Sequence, residues 1–351
     1  MIKVAIFSLE LVITKHRLWG LLILALKLFT CIMIILYCRN MKSMTDVLHY
    51  SLPQEVECSM FIPNHSHHSL NVPQHHIFFL ETSDRLSPNF LCMCSVESAA
   101  RAHPEFKITI YMKGLAQKSA ILPKNLGLSF LSCFHNVEIQ PLDVDELFKG
   151  TPLAEWYAEL YTRWEPYRFP ILSDACRIAM MWKHGGIYLD TDFIVLRDLG
   201  NLTNTLGTQS KYVLNGAYLS FHRRHKFIEL CMKDFVENYN RFIWGHQGPQ
   251  LMTRIFKKWC RIRSLRETNN CRGVSVLPQE AFYPIRWQDW KKYFEAISPS
   301  DFTEMLKNTY AVHIWNKKSQ GTKMDVATNS LLNKLYSNYC PSTYKIMKTY
   351  L

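Results

Sequence analysis

From Ile171 to Leu196 the chain reads ILSDACRIAMMWKHGGIYLDTDFIVL, a helical pattern that two glycines stop and that runs into an apolar strand broken by two aspartates. Ala175, Ile178, Ala179 and Trp182 recur at helical spacing, Ser173 stands as the expected cap, and Gly185 and Gly186 supply the stop. The strand GIYLDTDFIVLRDL would favour Val or Ile throughout if its role were structural. Asp190 and Asp192 interrupt it instead, and i and i+2 side chains of a strand share a side, so both carboxylates can address one hard divalent cation.

The surrounding segments alternate in the same manner. IFFLETS from Ile77 reads as a strand, SVESAARAHP as a helix, KITIYMKG as a strand and VEIQPL over 137–142 as another, an order that predicts a parallel α/β sheet. Further on come VLNGAYLSF (strand), HKFIELCMKDFVENYN (amphipathic helix), HQGPQLMTRIFKKW (loop into helix), TYAVHIW (strand) and a last helix over roughly 325–338. Internal repeats are absent. With 48% hydrophobic and 13% aromatic residues but only 13 Gly and 15 Pro in 351 residues, neither a disordered nor a collagen-like chain fits. The net charge is +12, of which +7 remains without the first 42 residues, a modest balance that suits anionic small molecules or a membrane surface as easily as nucleic acid; with no zinc-finger spacing, RNP-like segment or lysine-rich arm no nucleic acid is expected as a partner.

Leu18 to Tyr37 forms a run of twenty residues with the single charge Lys27, the length needed to cross a hydrocarbon core. The run is too long for the apolar part of a cleaved signal peptide and ends in Tyr37, Cys38 and Arg39 rather than a small-residue cleavage site. Lys3, Lys15 and Arg17 ahead of it place the N-terminus on the cytosolic side. The expected organisation is a cytoplasmic tail (1–17), a transmembrane signal anchor (18–37), a stem (38–76) rich in Pro and His, and a catalytic domain (77–351) outside the cytosol. Sequons at Asn64 and Asn201 agree with that side. Apart from Cys31 and Cys38, in the run or at its edge, nine cysteines remain, Cys58, Cys92, Cys94, Cys133, Cys176, Cys231, Cys260, Cys271 and Cys340, an odd number that in an oxidising lumen leaves at least one free or paired between chains. No CxxC pairs with another or with a His pair, which disfavours zinc.

Asp174 and Arg177, one helical turn apart, form either a surface ion pair or a carboxylate and guanidinium presented to the hydroxyls of a sugar. His313 lies at the end of a strand and is followed by Lys317, Lys318 and a glycine-containing loop. Together with the aspartates these residues suggest a phosphate site in which His313 is a third ligand to the cation.

SDACRIAMMWKHGGIYLDTD resembles the donor-site block of retaining, DxD-dependent nucleotide-sugar glycosyltransferases of the GT-A fold. FFLETSDR, NFLCMCSVESAARAHPE, GTQSKYVLNGAYL, WGHQGPQLMTRIFKKWC, AFYPIRWQDWKKYF and AVHIWNKKSQGT extend the resemblance, over about residues 77–351, to the α-1,4-galactosyltransferase family. It implies an α/β, GT-A type fold, one luminal catalytic domain behind an N-terminal anchor, and residence in the Golgi membrane as a single-pass type II protein. The implied reaction moves galactose from UDP-galactose, with Mn²⁺, onto the 4-hydroxyl of a terminal β-galactose with retention. Lactosylceramide and other β-galactose-terminated glycolipids or glycoproteins are the implied acceptors, and a homo-oligomer or complexes with other glycosyltransferases are further partners it admits.

Carried over residue by residue, Asp192 binds the metal, Asp190 reaches the metal, ribose and donor sugar, and His313 completes the metal shell. Asp174 and Arg177 hold the sugar hydroxyls, while Lys317 or Lys318 assists the leaving diphosphate. Gln247 and Asn215 are candidates to line the reaction centre. Trp244, Trp287 and Trp290 are candidates to cover the apolar face of an acceptor sugar, against plain packing. No placed carboxylate nucleophile is evident, so front-face attack is favoured over a covalent intermediate. Two alternatives stand beside this reading. One is an α-1,4-N-acetylglucosaminyltransferase of the same family; the other is a non-catalytic Golgi glycan-binding protein, which would lack the metal and donor residues that are present here.

Overall fold

The computed structural model describes residues 19, 22–33, 55–60, 75–116, 122–319, 322 and 324–350, in two units, Met1–Pro53 and Gln54–Leu351. In the first unit residues 22–33 are helical and exposed. Among the described residues no helix is long and apolar enough to cross a membrane. The remainder of the expected span, the tail and Asn64 lie outside the described residues.

The second unit is built on β1 (His76–Glu81), β2 (Lys107–Met112), β3 (Val137–Pro141), β4 (Gly186–Leu189), β5 (Phe193–Val195), β6 (Thr205–Ser210), β7 (Val213–Phe221), β8 (Asn270–Cys271), β9 (Val274–Leu277) and β10 (Ala311–His313). Eight of them form one sheet in the order β3-β2-β1-β4-β7-β6-β9-β8. The half from β3 to β4 is parallel, as expected of strands joined through helices. At β7 the sheet turns antiparallel, because β6 and β7 form a hairpin whose second strand lies against β4. The fold is therefore mixed α/β rather than parallel throughout.

The strand expected over 186–199 is two strands in two sheets. After β4 the chain turns through Asp190, Thr191 and Asp192, and β5 pairs antiparallel with β10, with Phe193 opposite His313. Unpaired carboxylates cannot sit inside a buried ladder without a large desolvation penalty, and here they occupy the corner where the chain leaves one sheet for the other. The strand geometry used to bring Asp190 and Asp192 together is corrected to a turn.

The helix Arg168–His184 begins before the cap expected at Ser173, which lies in its second turn. Its apolar side, with Ala175, Ile178 and Ala179, packs into a core shared with Phe78, Tyr188 and Leu219 of the sheet and with Phe227 and Phe235 of the helix Lys226–Glu237. A second core of Ile194, Val312, Tyr293, Leu335 and Tyr336 lies under the C-terminal helices. There are two of these, Leu331–Tyr339 and Pro341–Tyr350, where a single helix was expected; Ser330 caps the first and Pro341 opens the second.

Disulfides join Cys58 to Cys133, Cys94 to Cys340 and Cys260 to Cys271. The first ties residues of the expected stem to the α/β unit. Cys92, Cys176 and Cys231 are free and buried. Cys176, next to Arg177, is a small apolar core residue whose thiol burial pushes well up.

Candidate active site

The corner after β4, the end of β10 and the middle of the helix Arg168–His184 bring Asp174, Arg177, Asp190, Asp192 and His313 into one cluster. Asp192 Oδ1 lies 3.1 Å and Asp190 Oδ2 3.8 Å from His313 Nε2. One ligand atom from each of the three residues falls within 4.8 Å of the others, a carboxylate, carboxylate and imidazole set that suits a divalent cation.

The surroundings aim these groups. Asp190 donates its backbone N–H to the Ala217 carbonyl at 2.9 Å, while its Oδ1 accepts the Tyr188 hydroxyl at 2.5 Å. Tyr188 and Asp190 stand at i and i+2, the spacing that puts two strand residues on one side. Asp192 Oδ2 accepts the Asn316 N–H at 2.8 Å and its carbonyl accepts the Ile314 N–H at 2.9 Å, which fixes β10 and the turn after it against the aspartate corner.

Burial alone would lower the pKa of His313, but Asp192 and Asp190 outweigh it and push it up to about 9. In the same way His313 overrides burial and holds Asp192 below the usual carboxylate range. A proton thus serves here as the positive charge that the buried Asp192 and the half-buried Asp190 demand, and a bound cation would take the same place. His313 Nε2 faces Asp192 and donates to it when the ring is protonated, whereas Nδ1 is buried without a partner; a bound cation would take the place of the Nε2 proton.

Arg177 bridges the cluster. Its Nη2 is 3.1 Å from Asp190 Oδ1 and 3.5 Å from Asp174 Oδ1, and Ser173 helps hold it, its Oγ accepting from the same Nη2 at 3.0 Å and its carbonyl from Nε at 3.3 Å. Ser173 is therefore a positioner of Arg177 rather than a helix cap. Burial, and after it Asp190, push the Asp174 carboxyl up to about 6 against the pull of Arg177. The pair lies in the middle of the helix over the sheet, not at a helix end or on an open surface.

The remaining expected residues fall around this centre. Asn215 is buried in β7; its carboxamide donates to Gln209 Oε1 at 2.8 Å and accepts the Ala217 N–H at 2.9 Å, bracing the carbonyl that holds Asp190. Gln247 is buried too, and both ends of its carboxamide are engaged near its own loop, with the Phe235 carbonyl and with Asn240 and His246. Beside it, Gly248 approaches Asp174 so closely that a Cβ would lie 2.5 Å from Oδ2. Lys317 and Lys318, directly after Asn316, lie over the rings of Trp244 (3.1 Å to the centroid) and Trp287 (5.3 Å), both exposed. Trp290 is half-buried and packs edge-on against Phe294. Asn201 is exposed. Sequence reasoning missed Tyr188, Ser173 as a positioner, Asn316 and Gly248; only Tyr188 carried a local signal, its strand spacing from Asp190.

The glycosyltransferase sugar-binding region containing the DXD motif matches residues 89–213, and the alpha 1,4-glycosyltransferase conserved region matches residues 220–347. Lactosylceramide 4-alpha-galactosyltransferase of Mus musculus is 58% identical over 96% of this chain and 92% of its own length. The Homo sapiens protein of that name is 62% identical over 86% of this chain and 85% of its own. Alpha-1,4-N-acetylglucosaminyltransferase of Homo sapiens is 39% identical over 84% and 88%, respectively.

Proposed function

The chain belongs to the alpha 1,4-glycosyltransferase family that includes the lactosylceramide 4-alpha-galactosyltransferases, and from that premise we propose that it transfers galactose from UDP-galactose, with retention, to the 4-hydroxyl of a terminal β-galactose, foremost that of lactosylceramide. The observation that carries the reading is the convergence of Asp190, Asp192 and His313 beside the Arg177–Asp174 pair. Identity of about 60% to relatives named for galactose transfer, against 39% to the one named for N-acetylglucosamine, favours UDP-galactose as donor.

Asp190, Asp192 and His313 would hold Mn²⁺, which when bound neutralises the charge that develops on the departing UDP. The chain's own groups do the rest. Asp174 is a buried carboxylate able to accept from donor-sugar hydroxyls, and Arg177 keeps it and Asp190 oriented. Lys317 and Lys318 follow Asn316, whose N–H holds Asp192, and would supply positive charge to a bound diphosphate. With Asp174 and Asp190 both engaged by Arg177, front-face attack, in which the departing phosphate takes the acceptor proton, fits better than nucleophilic attack by either carboxylate. The domain is of GT-A type on this reading.

Localisation is part of the proposal. Leu18–Tyr37 anchors the chain as a single-pass type II protein of the Golgi membrane, and Gln54–Leu351 is luminal. Three disulfides and an exposed sequon at Asn201 support an oxidising, glycosylating compartment.

The test incubates the full chain with lactose-terminated acceptor and either UDP-galactose or UDP-N-acetylglucosamine, in Mn²⁺ or EDTA. A Mn²⁺-dependent product from UDP-galactose, cleaved by α- but not β-galactosidase, is expected. Product from UDP-N-acetylglucosamine alone would replace the donor, and UDP binding without turnover would return the chain to a glycan-binding role.

A further inference from the structure

Trp164, Phe242, Phe169, Tyr161, Trp244 and Ile243 are between 45% and 70% exposed and gather on one side of the domain. Trp164 packs against Phe242 with ring centroids 6.2 Å apart, and Trp244 packs edge-on against Tyr167 at 5.2 Å, so the segment 161–169 and the loop 242–244 form one surface. A soluble surface rarely leaves so many large aromatic rings together without a partner.

Arg163 beside the rings is paired with Glu159 and Glu165, but two further arginines carry uncompensated charge there. Arg168 lies over Tyr161 and Arg241 over Phe242, and neither makes an ion pair with a described residue. Between the rings opens a pocket of about 280 Å³ lined by Arg163, Tyr239, Asn240, Arg241 and Phe242. Amphipathic rings edged by arginine are the chemistry of a bilayer interface, where the rings enter the headgroup layer and the guanidinium groups meet lipid phosphates.

The surface also adjoins the reaction centre. Phe169 and Asp174 lie on one helix five residues apart, about 7.5 Å along its axis. The loop that presents Phe242, Ile243 and Trp244 continues to Gly248, whose backbone abuts Asp174. A lactosyl headgroup is only two sugars long, so a site that works on its outer galactose in place has to stand close against the membrane.

We infer that this aromatic and arginine surface is a bilayer-docking face that seats the reaction centre at the height of a short glycolipid headgroup. The inference rests on the glycolipid-acceptor reading above and names the lipid phosphates of the bilayer as the partner of Arg168 and Arg241.

The test uses the full chain reconstituted in phosphatidylcholine vesicles, with or without phosphatidylserine, and measures transfer to vesicle-embedded lactosylceramide and to soluble lactose in the same preparation. Trp164→Ser/Phe242→Ser and Arg168→Glu/Arg241→Glu should lower transfer to the embedded acceptor about tenfold while leaving transfer to lactose unchanged, and phosphatidylserine should raise only the embedded rate of the wild type. If both rates are unchanged in the variants, the face docks something other than lipid, such as a protein, and the inference falls. A parallel loss of both rates overturns it as well, since the rings would then serve the site itself. Transfer by the wild type to neither acceptor would instead overturn the glycosyltransfer reading on which it rests.

Discussion

Asp192 divides its carboxylate between two tasks: Oδ2 accepts the backbone N–H of Asn316 at 2.8 Å, and Oδ1 faces the imidazole of His313. One oxygen is structural and the other is free for a metal. Asp192→Asn keeps an acceptor for Asn316 and loses the charge. Transfer should fall at least about a hundredfold with Tm within about 2 °C of wild type. Transfer at the wild-type rate would remove Asp192 from the metal site.

Asp174 sets a pH limit. Its carboxyl is pushed up to about 6 by burial and by Asp190, so it is ionised at pH 7 and gains a proton as the pH falls through that value. The protonated form no longer attracts Arg177 and is a poorer acceptor for sugar hydroxyls. At saturating Mn²⁺ and donor, turnover should therefore decline below about pH 6, and Asp174→Asn should be slower at pH 7 with that acid limb flattened. An acid limb that persists unchanged in the variant would belong to another group.

Arg177, itself buried, is the counter-charge of two largely enclosed carboxylates. Arg177→Met leaves Asp174 and Asp190 without it, and breaking a buried pair in this way costs about 3 kcal/mol. Unfolding in EDTA should show that loss in full, and Mn²⁺ with UDP should restore part of it by returning positive charge to Asp190. Equal Tm values for variant and wild type would mean that the aspartates are solvated.

The residues that share short stretches of chain were legible in the sequence. Asp190 and Asp192 stand out because they break an apolar strand, Asp174 and Arg177 because they stand one helical turn apart, and β7 matches the expected strand VLNGAYLSF from end to end. The reason they converge was not legible. The pleat of a strand was expected to align Asp190 with Asp192, whereas a corner between two sheets does so, and that corner exists only because β10 comes back to pair with β5. Asn316 and Gly248 carry no chemistry of their own; a backbone N–H and a missing Cβ matter only once a distant chain arrives beside them. The sheet's change from parallel to antiparallel has the same origin, since nothing in β7 itself states which neighbour it will take.

Glu97 is wholly buried in the helix Phe90–Ala102 and takes the N–H groups of Ser342 and Thr343, the Thr343 hydroxyl and the Arg101 guanidinium. It caps the helix Pro341–Tyr350 from outside that helix, beside the Cys94–Cys340 disulfide. Glu97→Ala strands those donors and should destabilise the domain by about 3 kcal/mol or more. Urea unfolding reads the shift in midpoint, while UDP affinity of the folded fraction stays at the wild-type value. An unshifted midpoint would show that water reaches these donors.

Gly248 offers the sharpest separation of geometry from stability. The space toward Asp174 leaves no room for a side chain at this position. The Cβ of Gly248→Ala would sit 2.5 Å from Asp174 Oδ2, and that carboxylate must rotate or the loop must lift. Either response misplaces the acceptor of sugar hydroxyls by a fraction of an ångström or more, a displacement that costs about ten- to a hundredfold in turnover. Gly248 stands at the N-terminus of the helix Pro249–Cys260, outside its hydrogen-bonded turns, and the Tm should fall by only a few degrees. Combining it with Asp174→Asn should add little to the loss from Asp174→Asn alone, since both act through one carboxylate. Full multiplicative loss in the double variant would place Gly248 in contact with the donor itself.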